Sequence, residues 1–414
     1  MARAILKNCQ IIDGLKEEPL VNGIIVVEDE RISWVGQASD FDLKLEKNAT
    51  IIDMNGMYVL PGLWDMHLHL DYQGLKDIAA PRTVAQRTLF SYRRALTFLY
   101  NGVTSLRLVG TSDGIDFALR DGIARGDYLG PRILTAGKGI NSTGGHGSKD
   151  GTGFDGPYEF RRAARQVVFK GADLVKVMVT GGIAGRNEAF DAPQTLEDEV
   201  AAVVEIAHNW GKHVSAHVAS AEAAIMCAKV GVDTIEHGYA LTEEALETML
   251  TRGSKYVPTL IVTDNPSYWE AIGTANWAVE KIKQAYDSHH KAVEMAIKMG
   301  LTIAVGTDVP VPFMDGAIVV VREMEALAKL GAKPQDIIKW ATLTAATICG
   351  VNDQVGTIEN GKIADLIAVP ENPYESVSNL RDIRFVMSKG TIARNELPNQ
   401  QEVGVLAGRL EEGI

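Results

Sequence analysis

Four histidines, one lysine and one aspartate carry the chemistry this sequence could do. His67 and His69 stand two apart in Leu63-Trp-Asp-Met-His-Leu-His-Leu. Alternate residues of a strand share a face, so both imidazoles can reach one ion at about 2.0–2.1 Å. His217 ends the run His213-Val-Ser-Ala-His, His237 ends Thr234-Ile-Glu-His, and Asp308 ends Ile303-Ala-Val-Gly-Thr-Asp. Lys176 lies inside Asp173-Leu-Val-Lys-Val-Met-Val-Thr-Gly, which otherwise reads as a buried strand. A bare ammonium there is costly to desolvate. Neutralised, it is a nucleophilic amine that can capture carbon dioxide as a carbamate. The carbamate is a carboxylate on a long stem, able to bridge two metal ions. Singly, each residue has a plain structural explanation, such as a hydrogen-bonded histidine, a capping aspartate or a snorkelling lysine. Chance accounts poorly for all six falling at corresponding strand ends.

The elements that must position them follow from apolar periodicity. Between 61 and 350, short apolar runs alternate with amphipathic stretches such as Ala192 to His208. The strand candidates are 59–66, 102–108, 132–136, 173–180, 212–218, 233–237, 255–262 and 301–307. Eight strand–helix units of this total length predict an α/β fold, a (β/α)8 TIM barrel with its site at the C-terminal strand ends. An open doubly wound sheet is disfavoured because no Gly-rich dinucleotide fingerprint follows an early strand. Residues 4–60 and 356–394 read instead as short strands and turns. Gly23 to Gly36 has the pattern of a hairpin, and Gly356 to Lys362 reads as the first of the C-terminal strands. One small β domain from both termini (1–60 plus 351–414) around a barrel (61–350) is the expected organisation. The polar tail after Arg394 is expected to lie on the surface or fray.

The bulk numbers narrow the class. A chain of 414 residues accommodates a large barrel plus a smaller unit. A formal net charge of −12 argues against nucleic-acid and anionic-membrane partners. Cys9, Cys227 and Cys349 are far apart and odd in number, so no disulfide framework or CxxC site is expected, and a cytoplasmic location is the simplest reading. The first residues lack the apolar core of a signal peptide, and no apolar run is long enough to span a bilayer.

The motif set resembles the metal-dependent amidohydrolase superfamily across essentially the whole chain. The motifs are Pro61-Gly-Leu-Trp-Asp-Met-His-Leu-His, Lys176 in its apolar strand, Ser215-Ala-His217, Glu236-His-Gly238 and Gly306-Thr-Asp308. Thr143-Gly-Gly-His-Gly and Lys176-Val-Met-Val-Thr-Gly-Gly are similar to the imidazolonepropionase-like branch with Xaa-Pro dipeptidases (prolidases) and related carboxypeptidases. The resemblance implies that His67, His69 and Asp308 hold one divalent ion and His217 and His237 a second. Carbamylated Lys176 would bridge them. Zinc is the first expectation, and manganese, iron and cobalt suit the same ligands. It also implies a small β-sandwich built from the terminal strands. The implied reaction is metal-assisted hydrolysis of an amide or peptide bond. Asp308 would shuttle the proton to the leaving nitrogen, and His146 would donate a hydrogen bond to the carbonyl oxygen.

Tyr239 is a candidate for the substrate carboxylate or oxyanion, and Arg186, from the loop Gly181-Gly-Ile-Ala-Gly-Arg-Asn, for the substrate carboxylate. That loop departs from the Ala-Ser-Pro that many prolidase-like relatives carry after the glycines. His213 is expected in the core or behind the metal ligands, and His208, His289 and His290 are expected to be structural or exposed. The expected substrate is a small molecule, a dipeptide of the Xaa-Pro type or an N-acyl amino acid, and the expected assembly a homo-oligomer. Two other readings are weighed. A one-metal deaminase or cyclic-amide hydrolase of the same superfamily would lack the lysine, and a deaminase would carry HxxE at the fifth strand. Here His217 is followed by Val-Ala-Ser. A non-catalytic scaffold would lack ligands, and all are present.

Overall fold

The computed structural model describes residues 3–46, 48–72, 83–148, 151–308 and 318–398. The expectation for the tail lies, from residue 399 onward, outside them. Five strands open the chain: β1 (Arg3–Ile11), β2 (Leu20–Glu28), β3 (Arg31–Gln37), β4 (Thr50–Asp53) and β5 (Tyr58–Pro61). Seven follow through the middle: β6 (Leu63–Leu68), β7 (Val103–Leu108), β8 (Arg132–Thr135), β9 (Leu174–Met178), β10 (His213–Ser220), β11 (Thr234–Ala240) and β12 (Lys255–Val257). The last three are β13 (Leu366–Val369), β14 (Phe385–Ser388) and β15 (Thr391–Asn395).

The terminal strands share one eight-stranded sheet of order β15-β14-β13-β5-β1-β2-β3, with β4 added on β1. The expected hairpin is present. Glu28 pairs with Arg31 across a two-residue turn in which Asp29 takes φ 52. This sheet has its own apolar cluster, with Leu6, Ile25, Val27, Val59, Leu366 and Phe385 buried together. A second, smaller cluster of Ile5, Ile24 and Val26, with Trp34 and Phe41 packed against it, buries further residues of the same strands.

The middle strands form two parallel sheets, β6-β7-β8 and β12-β11-β10-β9. They are buried along nearly their whole length, as parallel strands covered by helices must be. A helix follows each of the seven, from Val84–Tyr100 after β6 to Asn276–Lys298, the longest helix after β12. Backbone bonds link the sheets at both margins. Ile140 N donates to Lys176 O and Met178 N to Ile140 O, both at 2.8 Å. On the other side Ala304 N donates to Tyr256 O, and Met66 N to Val305 O, both at 2.9 Å. No helix among the described residues is long and apolar enough to cross a membrane.

Several boundaries differ from expectation for local reasons. The candidate 59–66 is two strands. The chain changes partner at Gly62, from β13 to β7, and a Cβ there would lie 2.2 Å from Thr104 Oγ1, so only glycine permits the approach. The candidate 255–262 stops at Val257. Pro258 has no N–H for the ladder, and Thr259 at φ 51 turns the chain into the helix Ile261–Asp264. The segment 301–307 is extended but carries only the isolated bridge Tyr256↔Ile303. The helix expected from Ala192 starts at Glu197, where Glu199 returns to accept from Leu196 N at 2.8 Å. Residues 356–362 form turns around Gly356 (φ 95) and Gly361 (φ 89), not a strand.

Candidate metal centre

The six candidate ligands converge. His67 lies in β6 and His69 just past it, Lys176 in β9, His217 in β10, His237 in β11, and Asp308 follows the segment 301–307. All six line one cavity of about 870 Å³, together with His146 and Tyr239. Asp308 Oδ1 stands 3.3 Å from His69 Nε2 and 3.5 Å from His67 Nε2, and its Oδ2 is 3.9 Å from His237 Nδ1. His67, His237 and Asp308 form a group that could hold a metal ion, with ligand atoms within 4.8 Å of one another. It takes one histidine from each expected ligand set, so the two sets abut.

Hydrogen bonds decide which imidazole nitrogen faces the cavity. His67 Nδ1 donates to Glu236 Oε2 at 2.7 Å, and His69 Nδ1 to Gly110 O at 2.8 Å. His217 Nε2 donates to Gly181 O at 2.9 Å, and His237 Nδ1 pairs with Thr259 Oγ1 at 2.8 Å. A neutral imidazole whose one nitrogen carries the proton offers a lone pair at the other. Burial first, and then the positive potential of neighbouring groups including Lys176, holds His67, His217 and His237 well below the usual imidazole range. They are neutral donors. His69 differs: burial disfavours its protonation, but the hydrogen bond and charge of Asp308 outweigh it and raise its pKa. A cation beside Asp308 is electrostatically favoured.

Lys176 is the strongest sign that something further belongs here. It is 1% exposed, and its Nζ has no hydrogen-bond partner among the described residues. Burial drives its pKa down to about 8, with Arg107 adding to the shift and Glu236 and Asp308 opposing it. A buried, unsatisfied ammonium is costly, and a titrating amine is available for carbamate formation. Neutral imidazoles, a carboxylate and a neutralisable lysine form a donor set that fits two divalent ions.

A buried network holds this set. Glu236 accepts from His67, from Arg107 Nη2 at 2.7 Å, from Ser215 Oγ at 2.7 Å and from Thr234 Oγ1 at 2.6 Å. His237, Thr259 and Asp308 take φ of 68°, 51° and 52°. Left-handed backbone at such residues costs about 1–3 kcal/mol each and needs support. Asp308 N donates to His67 O at 2.6 Å, and Tyr256 Oη to His237 O at 2.7 Å. Glu323 accepts from the N–H groups of Leu260 and Ile261 at 2.8 and 2.7 Å, bracing the turn that carries Thr259. Replacing Thr259 with valine keeps the shape and removes the bond to His237. Metal affinity should fall about 10–100-fold, read by competition with a chromophoric chelator. An unchanged affinity would exclude this supporting role.

His146 reaches the cavity from the loop after β8. Its ring stacks on His217 at 4.4 Å between centroids. Tyr239 is fully buried, stacked at 5.3 Å on His237 and edge-on to His289 at 5.1 Å. His289 is a buried packing partner hydrogen-bonded to Thr263. Arg186 is exposed and does not line the cavity. The sequence reading missed Arg107, Thr259, Glu188 and Gln194, and it treated Glu236 only as part of a motif. Thr259 alone had a nearby signal, the strand-ending Pro258.

Comparison with known proteins places this arrangement. The amidohydrolase family signature matches residues 58–393. The chain belongs to the amidohydrolase family. Ochratoxinase of Aspergillus niger is 31% identical over 403 aligned residues, covering 89% of this chain and 82% of that protein. A solved Xaa-Pro dipeptidase with methionine bound in its active site superposes with a TM-score of 0.88 at 30% identity, covering 95% of this chain and all of that one. A prolidase complexed with N-methylphosphonate-L-proline gives a TM-score of 0.86 at 27% identity, covering 95% of this chain. This amidohydrolase is therefore an enzyme, a hydrolase of carbon–nitrogen bonds, and its cavity contains a possible His/Asp metal site.

Proposed function

We propose that this amidohydrolase uses two metal ions to cleave the amide bond of a dipeptide of the Xaa-Pro type or of an N-acyl amino acid. The observation that carries the reading is the buried Lys176 amine, without a hydrogen-bond partner among the described residues, in a cavity lined by the four candidate ligand histidines and Asp308. His67, His69 and Asp308 would hold one ion, His217 and His237 the other, and carbamylated Lys176 would bridge them. Zinc is the first candidate. The similarity to ochratoxinase, an Xaa-Pro dipeptidase and a prolidase supports this substrate class. A cavity of about 870 Å³ suits a dipeptide-sized ligand.

The bonds across Ile140 and across 302–305 support a closed (β/α)8 barrel over 61–350. The shared terminal sheet supports a composite β domain from 1–60 and 351–414, a small β-sandwich in this reading.

When bound, the ions lower the pKa of a water molecule and polarise the scissile carbonyl. The chain supplies the rest. Asp308, beside His67 and His69, accepts the proton of the attacking water and delivers it to the leaving nitrogen. His146 contacts the carbonyl oxygen as charge develops. Tyr239 lies beside His237, where its hydroxyl can meet the substrate carboxylate. Arg186 can serve that carboxylate only if its loop brings it to the cavity.

The test is hydrolysis by the purified, zinc-supplemented protein against libraries of dipeptides and N-acyl amino acids. Turnover of one of these classes, abolished by a chelator and restored by metal, is expected. A protein that stays metal-replete with one ion and deaminates its substrates would overturn the reading.

A further inference from the structure

Glu188 has no part in the scheme above, yet it is built tightly around His146. Its Oε1 accepts from His146 Nδ1 at 2.5 Å and from Gly182 N at 3.2 Å. Its Oε2 accepts from Gln194 Nε2 at 2.7 Å. Gln194 closes the ring, because its Oε1 accepts from His146 N at 2.6 Å. The His146 and Glu188 side chains are only 13% and 14% exposed, so water competes weakly for these bonds. Burial opposes ionisation of Glu188, but the hydrogen bond and charge of His146, with Gln194 and Gly182, outweigh it and hold the carboxyl below its usual range.

An ionised carboxylate has no proton to give, so Nδ1 is the donor and Nε2 is the atom left for substrate. The ring is also confined sterically. A Cβ on Gly182 would lie 2.3 Å from His146 Cε1 and 2.6 Å from Nε2, so only glycine admits it. Lys281, from the helix Asn276–Lys298, donates to Gly182 O at 3.0 Å and also to Gly185 O. The loop is thereby tied to the scaffold from outside.

We propose that Glu188 is a positioning residue for His146, holding the ring in one orientation with Nδ1 on Glu188 and Nε2 directed to the substrate, while Gln194 fixes Glu188 in turn. It acts through His146 and touches no substrate. The kinetic consequence rests on the hydrolase reading; the hydrogen bond itself does not.

Glu188→Gln separates charge and acceptor capacity from shape. Either orientation of the new amide sets its NH2 against the His146 N–H or the Gln194 NH2, donor facing donor. In the metal-loaded enzyme, kcat should fall about 10–100-fold, with KM changed by less than about threefold. In a His146→Ala background the same change should cause no further loss. Wild-type kcat in Glu188→Gln, or losses that multiply in the double variant, would overturn the proposal. A second arm needs no turnover. In the full chain labelled with ¹⁵N-histidine, an imidazole N–H resonance that vanishes in His146→Ala should vanish in Glu188→Ala as well, because that variant leaves no acceptor at Nδ1. Its persistence, or its absence from the wild type, overturns the positioning role. If the resonance behaves as expected but no amide is hydrolysed, the functional reading fails and the hydrogen bond stands.

Discussion

Lys176→Ala should lower kcat/KM by at least about 10³-fold, which is about 4 kcal/mol of lost transition-state stabilisation. Lys176 is the one ligand in the scheme shared by both ions, so its loss should also reduce bound metal from about two ions per chain to about one. Lys176→Met is the control for folding. It fills similar volume and removes a buried ammonium that lacks a hydrogen-bond partner among the described residues. Replacing an unpaired buried charge by an apolar group should leave thermal stability equal or higher while activity is lost. Metal analysis, kinetics and thermal melting on the two variants check this together. Full activity and one ion per chain in Lys176→Ala would refute the two-metal mechanism.

Asp308→Asn should reduce kcat by about 10²–10⁴-fold, the range that a positioned proton-transfer group supplies. The fold should survive. Asn tolerates the left-handed backbone that Asp308 adopts at φ 52, and the bond from its N–H to His67 O at 2.6 Å does not involve the side chain. Asp308 is also what raises His69 above its ordinary range despite burial, through a hydrogen bond and its charge. The substitution should therefore lower the proton affinity of His69 in metal-free protein, which histidine NMR reads directly. An active Asp308→Asn enzyme would require a different proton shuttle.

Much of the site was legible because coordination chemistry constrains residue type and strand geometry constrains spacing. His67 and His69 share a face by the period of a strand, and Lys176 stood out as a charge in an apolar run. His217, His237 and Asp308 were found because each closes a short apolar run. The hairpin Gly23 to Gly36 was legible for a similar local reason. Elements governed by non-local contacts were less so. The segment 301–307 looks like a strand in sequence, yet its backbone bonds are divided among Tyr256, Met66 and His67.

The sequence by itself determined the candidate donor set, the alternation of strands and helices, and membership of a hydrolase family. These are local signals, carried by residue type and short-range period. Only the tertiary structure decided which nitrogen of each histidine faces the cavity, because their partners lie far away in the chain. Glu236 is 169 residues from His67, and Glu188 is 42 residues from His146. It also decided that Tyr239 lines the cavity while Arg186 is exposed. Hydrogen-bond geometry across folded segments leaves no periodic trace, so the orientation of the site is a property of the packed protein.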